Sequence, residues 1–396
     1  MNILFVNSNQ YGHINPTLGL VKALTMKGNE VSYYCSKEFS EQVEGLGASC
    51  ICMGQKLIDF TKKYRPTDHH PFFMLMEYML SYDEVMLSEI LDIVKANSFN
   101  LIICDSYFGG EPFLKQMINV PILCSHSSFA MSKTPVPERM LAYGFHPQLD
   151  NCYHIIERIC DRYQIEKPSI ESIFTSKGDL NIVYTSQQFN GDPLIHEPEY
   201  IFVGPSVERS LKNDEFDFSV ICGRKLIYIS LGSVNTDFLD FYKMCIDTFK
   251  DTEYYICMSV GSKCNVDDLG EIPQNFMVKN FLPQLEILAH ADAFVTHSGF
   301  NSVNEALYYG VPMLALPLVN DQHMVAKRLA TLQVGIMDNF KELSSGILKS
   351  KIEALVSDKI IKENCDYHSS EMRKIAGFER LIEIIEKYAK MRKEWN

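Results

Sequence analysis

The 396-residue chain is expected to be an α/β protein built from two doubly wound domains. Strand and helix patterns alternate twice along it, a polar segment separates the two runs, and the length suits two domains better than one. The first run opens with a strand from Asn2 to Asn7. A helix is expected over Pro16 to Lys27, with proline in its first turn and Gly28 at its close, and Val31 to Cys35 is the next strand. Leu101 to Cys104 and Pro121 to Cys124 read as later strands of the same sheet, separated by a helical stretch around Pro112 to Ile118. From about Gly204 to Arg224 the pattern breaks at Pro205, Lys212, Asn213, Asp214 and Glu215, which marks a linker. The second run has strands at Leu226 to Leu231, Tyr254 to Val260, Met277 to Lys279, Ala293 to Thr296 and Met313 to Leu316, with helices between them. After Gly346 the pattern is helical, and Leu381, Ile384, Ile385 and Tyr388 give the last helix an apolar stripe that must dock. The expected division is therefore 1–204, a linker over 205–224, 225–375, and a terminal helix over 376–396.

Charge and cysteine usage narrow the function classes. A formal net charge of −13 without a long Lys/Arg run argues against a polyanionic nucleic-acid partner, which needs a basic footprint. Lys387, Lys390, Arg392 and Lys393 cluster near the end, where such a group reads as the solvated face of a helix. Twelve cysteines are scattered, and Cys50 and Cys52 are too close in sequence for a metal knuckle, so they read as reduced core residues. No apolar run approaches the ~20 residues that span a bilayer and no basic leader precedes an apolar stretch, so a cytoplasmic protein without a membrane span is expected. Neither run carries Gly-x-Gly-x-x-Gly after its first strand, which weighs against a dehydrogenase.

The segment from Ala293 to Leu307 reads as an anion site. Ala293 to Val295 is a buried strand, His297 to Gly299 turn the chain, and Val303, Ala306 and Leu307 recur at helical spacing. Backbone N–H groups and the positive end of a helix dipole converge at such a start. Gly299 leaves room for a phosphate, while Asn301, Ser302 and His297 add side-chain donors. Glu305 lies about one turn further on, suited to a ribose diol. The unit fits a nucleotide.

Two open parallel sheets place ligands beyond the carboxyl ends of their strands, so the loops there are where chemistry is expected, in a cleft between two such edges. The loop after the first strand, Ser8 to Asn15, carries Gly12 and His13, and imidazole is the side chain best suited to take a proton near neutral pH. A histidine that only holds the loop is the plainer alternative. Asp105 follows Leu101 to Cys104 directly; it can fix the tautomer of His13 and stabilise the imidazolium, or simply cap the next helix. Phe72, Phe73, Met74, Met76, Tyr78 and Met79 form a Met-rich apolar run that reads first as core and second as a wall for an apolar ligand.

The set Gly12-His13-Ile14-Asn15-Pro16, Leu231-Gly232-Ser233, Phe281-Leu282-Pro283-Gln284, His297 to Ser302 with Glu305, and Asp321-Gln322 resembles the UDP-glycosyltransferase superfamily, in its bacterial macrolide glycosyltransferase-like branch. The resemblance runs over nearly the whole chain and is most specific from Phe281 to Gln322. It implies the GT-B fold, two Rossmann-like domains facing across a cleft with the C-terminal helix crossing back to the N-terminal domain. By that similarity His13 is the general base and Asp105 its supporting carboxylate. Ser233, His297, Asn301 and Ser302 hold the diphosphate, with Gly12, Ser298 and Gly299 lining the same site, and Glu305 binds the ribose. Phe281, standing where many relatives have Trp, stacks on the base beside Leu282 and Gln284, and Asp321 and Gln322 bind the sugar hydroxyls. The implied reaction is inverting transfer of a hexose, with glucose the first expectation, from a UDP-sugar co-substrate (UDP-glucose on that expectation) to a hydrophobic acceptor such as a macrolide, polyketide, flavonoid or other phenol. No Asp-x-Asp signature is present, so no metal and no further cofactor are expected. A sugar-nucleotide isomerase or epimerase, and a non-catalytic UDP-sugar-binding protein, remain as alternatives.

Overall fold

A computed structural model describes residues 1–65, 71–107, 110–134, 136, 147–207, 217–221, 223–232, 238–319 and 321–394. The chain divides into two compact units, one formed by Met1–Leu211 with Gly377–Asn396 and the other by Lys212–Ala376. Much of the expected linker, including 208–216, and the candidate Ser233 lie outside the described residues.

Unit 1 runs β1 (Asn2–Val6), α1 (Tyr11–Met26), β2 (Glu30–Cys35), α2 (Lys37–Glu44), β3 (Ser49–Cys52), α3 (Gln55–Lys63), α4 (Pro71–Ala96), β4 (Leu101–Asp105), α5 (Glu111–Met117), β5 (Ile122–His126), α6 (Asp150–Tyr163), α7 (Ile170–Thr175), β6 (Leu180–Val183), α8 (Gln187–Asn190) and β7 (Tyr200–Phe202). Its seven strands are parallel in the order β3-β2-β1-β4-β5-β6-β7. Parallel strands covered on both faces are nearly continuous apolar runs, and Ile3, Leu4, Phe5 and Val6 of β1 are wholly buried. The strand order reverses between β1 and β4, where Val6 pairs with Tyr34 on one side and Cys104 on the other.

Unit 2 runs β8 (Leu226–Ser230), α9 (Leu239–Phe249), β9 (Tyr255–Ser259), β10 (Phe276–Lys279), α10 (Gln284–Leu288), β11 (Ala293–Thr296), α11 (Phe300–Tyr309), β12 (Met313–Ala315), α12 (Gln322–Thr331), β13 (Gly335–Met337), α13 (Ser345–Ser357) and α14 (Lys359–Ile375). Its parallel sheet, β10-β9-β8-β11-β12-β13, repeats the same winding with its reversal between β8 and β11. The last helix, α15 (Glu379–Glu394), belongs to unit 1: Leu381, Ile382 and Ile385 are fully buried in the core that also holds Ile3, Phe5, Leu18 and Val21. Gly19 of α1 makes room for this packing, since a Cβ there would lie 2.6 Å from the Phe378 ring. Lys387 and Lys390 of the same helix are exposed.

One expected boundary moves. α1 begins at Tyr11, so His13 sits in its first turn and Pro16 lies inside the helix. The N–H groups of His13 and Ile14 both donate to the Gln10 carbonyl, at 2.9 and 3.0 Å, and close that turn before the proline is reached. Proline usually marks the first helical position, which displaces the expected start by about one turn. The Met-rich run lies on the 26-residue α4, with Phe73, Met76 and Met79 buried in the core and Phe72, Met74 and Tyr78 only partly covered.

Candidate active site

The reversal in the unit 1 sheet sets two side chains together. His13 Nδ1 lies 2.5 Å from Asp105 Oδ2, across the gap between the ends of β1 and β4. The Asp105 side chain is 1% exposed and that of His13 17%, so the pair is anchored below and reached from above. Asp105 Oδ1 accepts the Tyr107 N–H at 2.8 Å, and Tyr107 packs edge-on to the imidazole with centroids 6.4 Å apart. A carboxylate held at both oxygens orients Nδ1–H toward itself and leaves the lone pair of the neutral ring on Nε2, the tautomer a base needs. Asn7 Nδ2 donates to the His13 carbonyl and to Tyr33 Oη, tying this turn to β2. Gly12 is exposed, with no protein atom within 4 Å of where a Cβ would sit.

Sequence reasoning missed Ser127, whose Oγ lies 2.8 Å from His13 Nδ1. It immediately follows β5, the neighbour of β4, so the rule that pointed to the loop after β4 also reaches this position. Behind it His126 is buried, with Nε2 3.3 Å from Asn181 Oδ1, and burial lowers its pKa to about 4.

In unit 2 the equivalent reversal places His297 after β11 and Gly232 after β8. Two glycines crowd the Cε1–Nε2 edge of the His297 ring, and a Cβ on either Gly232 or Gly299 would lie 2.6 Å from it. The residue keeps a partial opening to solvent, yet burial still lowers its pKa to about 4, and its Nδ1 has no hydrogen-bond partner among the described residues. A neutral imidazole with an unused polar atom can donate to an anion without carrying charge into the site. Ser298 adopts φ +67°, a left-handed conformation uncommon outside glycine, and is completely buried. Its N–H donates to Thr296 Oγ1 at 3.2 Å while its hydroxyl has no partner among the described residues.

α11 then starts at Phe300 with Gly299 as its N-cap and no side chain capping it. Asn301 and Ser302 are partly exposed in the first turn. Glu305 is 1% exposed, and its Oε2 accepts Gln284 Nε2 at 2.6 Å, the same amide lying 3.2 Å from Ser302 Oγ. A ribose diol reaching Glu305 must therefore compete with, or rearrange, the Gln284 amide. Tyr228 on β8, also missed from sequence, donates to Gln284 Oε1 at 3.3 Å and fixes that carboxamide from below. Phe281 is 62% exposed, an aromatic face turned outward, with Leu282 partly covered beside it. Asp321 is the N-cap of α12, and Gln322 Oε1 accepts the N–H groups of Leu318 and Val319 at 2.9 and 3.1 Å, which leaves its amide hydrogens as the donors available to a sugar.

The lowered pKa values of His126 and His297 carry a pH consequence. Both stay neutral in the fold down to about pH 4, whereas an unfolded imidazole takes a proton near 6.5. Between those values the unfolded chain binds more protons, so their contribution to stability falls as pH drops from about 6.5 toward 4, by on the order of 3 kcal/mol per ring. Imidazole NMR titration should show neither ring protonating above about pH 5; a midpoint near 6.5 for either would contradict its burial.

Residues 219–374 match the family described as UDP-glucoronosyl and UDP-glucosyl transferase. The oleandomycin glycosyltransferase of Streptomyces antibioticus is 33% identical over 395 residues, covering 95% of this chain and 88% of that protein. An uncharacterized UDP-glucosyltransferase of Bacillus subtilis, YojK, is 28% identical over 97% of this chain and 96% of its own length. Among solved structures, the calicheamicin glycosyltransferase CalG4 superposes with a TM-score of 0.82 at 21% identity, covering 98% of both chains. The glycosyltransferase of kitacinnamycin gives 0.84 at 23% identity, again over 98% of both. These likenesses give the fold, two Rossmann-like units of the GT-B type.

Proposed function

Since this chain belongs to the UDP-glycosyltransferase family and is a UDP-dependent glycosyltransferase, we propose that it transfers a hexose, glucose in the first instance, to a hydroxyl of a hydrophobic small molecule with inversion and without a metal. The observation that carries this reading is the 2.5 Å pair of His13 and Asp105 at the sheet reversal of unit 1. His13 Nε2 takes the acceptor proton while the acceptor oxygen attacks the anomeric carbon. The bond to UDP breaks with its electron pair leaving on the diphosphate, and Asp105 stabilises the imidazolium formed. In unit 2, His297, Asn301, Ser302 and the uncapped start of α11 receive the growing negative charge, a role a metal takes elsewhere. Ser233, Ser298 and Gly299 complete that site, Glu305 holds the ribose, Phe281, Leu282 and Gln284 line the base pocket, Asp321 and Gln322 bind the sugar, and Gly12 of unit 1 is a further nucleotide-sugar residue in this reading. Attack from the face opposite UDP turns an α-linked donor into a β-glycoside. The name of the oleandomycin relative supports an apolar natural-product acceptor, in the range of macrolides, polyketides, flavonoids and other phenols. The partly covered Phe72, Met74 and Tyr78 of α4 are its candidate contacts in this reading.

A donor-by-acceptor screen read by mass spectrometry tests the reading. The expected result is acceptor gaining one hexose residue, UDP appearing only when acceptor is present, no loss with EDTA, and a β-linkage by NMR. Conversion of the UDP-sugar into another UDP-sugar without acceptor would mean an isomerase or epimerase. UDP binding with no turnover against any acceptor would mean a sensor.

A further inference from the structure

Outside the site, three thiols meet at the edge of the unit 1 sheet. Cys50 Sγ lies 3.6 Å from Cys35 Sγ and 3.7 Å from Cys52 Sγ. Cys52 is exposed, Cys50 half-buried and Cys35 buried. Cys50 and Cys52 flank Ile51 on β3, so they share one face of an outermost strand held on one side only, by β2. Sulfur atoms this close, one of them open to solvent, suit thiol–disulfide chemistry. We propose that Cys50 and Cys52 form an oxidant-sensitive dithiol whose disulfide loosens the turn carrying His13.

Cys52 is the point of entry because it is the exposed member of the three. A peroxide oxidises its thiolate to the sulfenic acid and is itself reduced, releasing hydroxide that takes up a proton to become water. Cys50 Sγ then attacks Cys52 Sγ, forming the S–S bond, and the sulfenic oxygen leaves as water with the Cys50 proton. The net change is two thiols and one peroxide to one disulfide and two waters. Burial raises the thiols of both Cys50 and Cys35, that of Cys35 the more strongly, so Cys35 is the less able resolving partner.

Closing a sulfur gap of 3.7 Å to a bond of about 2 Å must pinch β3 across Ile51. The next residue, Met53, contacts Asn9 Nδ2 through its sulfur, and its N–H donates to the Cys35 carbonyl at 3.0 Å. Asn9 Oδ1 in turn accepts the Ser36 N–H at 2.8 Å. Asn9 stands two residues before α1, whose first turn contains His13, so a strained β3 pulls on the segment that seats the imidazole.

The test uses the full-length protein, reduced and then exposed to hydrogen peroxide, with remaining thiols alkylated before trypsin. Cleavage leaves Cys50 and Cys52 together on one peptide ending at Lys56 and Cys35 on another ending at Lys37. The expected product is the first peptide lacking two hydrogens and unalkylated, together with faster amide hydrogen exchange across residues 9–14 that a thiol reductant reverses. Cys52→Ser, an exposed change, should abolish both effects. A cross-link between the two peptides, Cys52 overoxidised with Cys50 alkylated, unchanged exchange at 9–14, or persistence of the exchange effect in Cys52→Ser would each overturn the proposal. None of these readouts needs a sugar donor or acceptor, so their outcome is independent of the reaction proposed above.

Discussion

His13→Ala is expected to lower kcat by about 10³-fold, within the range for loss of a positioned base, while leaving UDP affinity essentially unchanged. The imidazole belongs to unit 1, and the groups proposed to grip UDP belong, Gly12 apart, to unit 2. Without the ring, the acceptor hydroxyl must attack while still carrying its proton. Alanine also strips Asp105 of a partner at Oδ2, leaving a carboxylate whose side chain is 1% exposed; that alone costs about 1–3 kcal/mol of stability. His13→Gln separates the two effects, because an amide can still donate to Asp105 but cannot accept and hold a proton. Circular dichroism melts and initial rates should show the glutamine variant folded and as inactive as the alanine one. Near-normal turnover in the glutamine variant would remove His13 from the chemistry.

Gly232→Ala is expected to destabilise unit 2 by about 2–4 kcal/mol, combining left-handed strain with overpacking. The backbone there has φ +88°, and the new methyl would lie 2.6 Å from the His297 ring. Because Gly299 also crowds that ring, at 2.6 Å from where its own Cβ would sit, the ring must swing out of place, and UDP affinity should fall with stability. Gly223→Ala is the control: φ is +74° and no atom lies within 4 Å of the added carbon, so strain alone applies, about 1–2 kcal/mol. Denaturant titration and calorimetry with UDP measure both quantities. Equal losses in the two variants would show that packing against His297 contributes nothing.

Both sheets are legible in the sequence because their central strands are unbroken apolar runs. Leu101 to Asp105 and Ala293 to Thr296 are wholly buried, and burial on both faces admits few other residues. The strands that escape such a reading are short or peripheral. β3 has no fully buried residue, while β6 and β7 span four and three residues, too few to show a period. At the site, His13 and Asp105 can each be found because they follow apolar strands, yet their contact depends on β1 and β4 being neighbours, a fact of topology that no local pattern carries. Ser127 and Tyr228 escape for the same reason: a serine in a loop and a tyrosine in a strand are ordinary until the fold brings a site atom beside them. The Gln284 bridge to Glu305 joins residues 21 apart and cannot be read from spacing.

The return of the chain to unit 1 at Gly377 makes unit 2 an uninterrupted insert, bounded by Leu211 and Gly377. Nearly everything proposed to recognise UDP and its hexose sits inside that one stretch, whereas His13, Asp105 and Ser127 lie outside it. On that reading, recombination at just two junctions can exchange one proposed sugar-nucleotide cassette for another and leave the proposed base and its supports untouched. A lineage built this way can change which sugar it attaches without relearning how to deprotonate an alcohol.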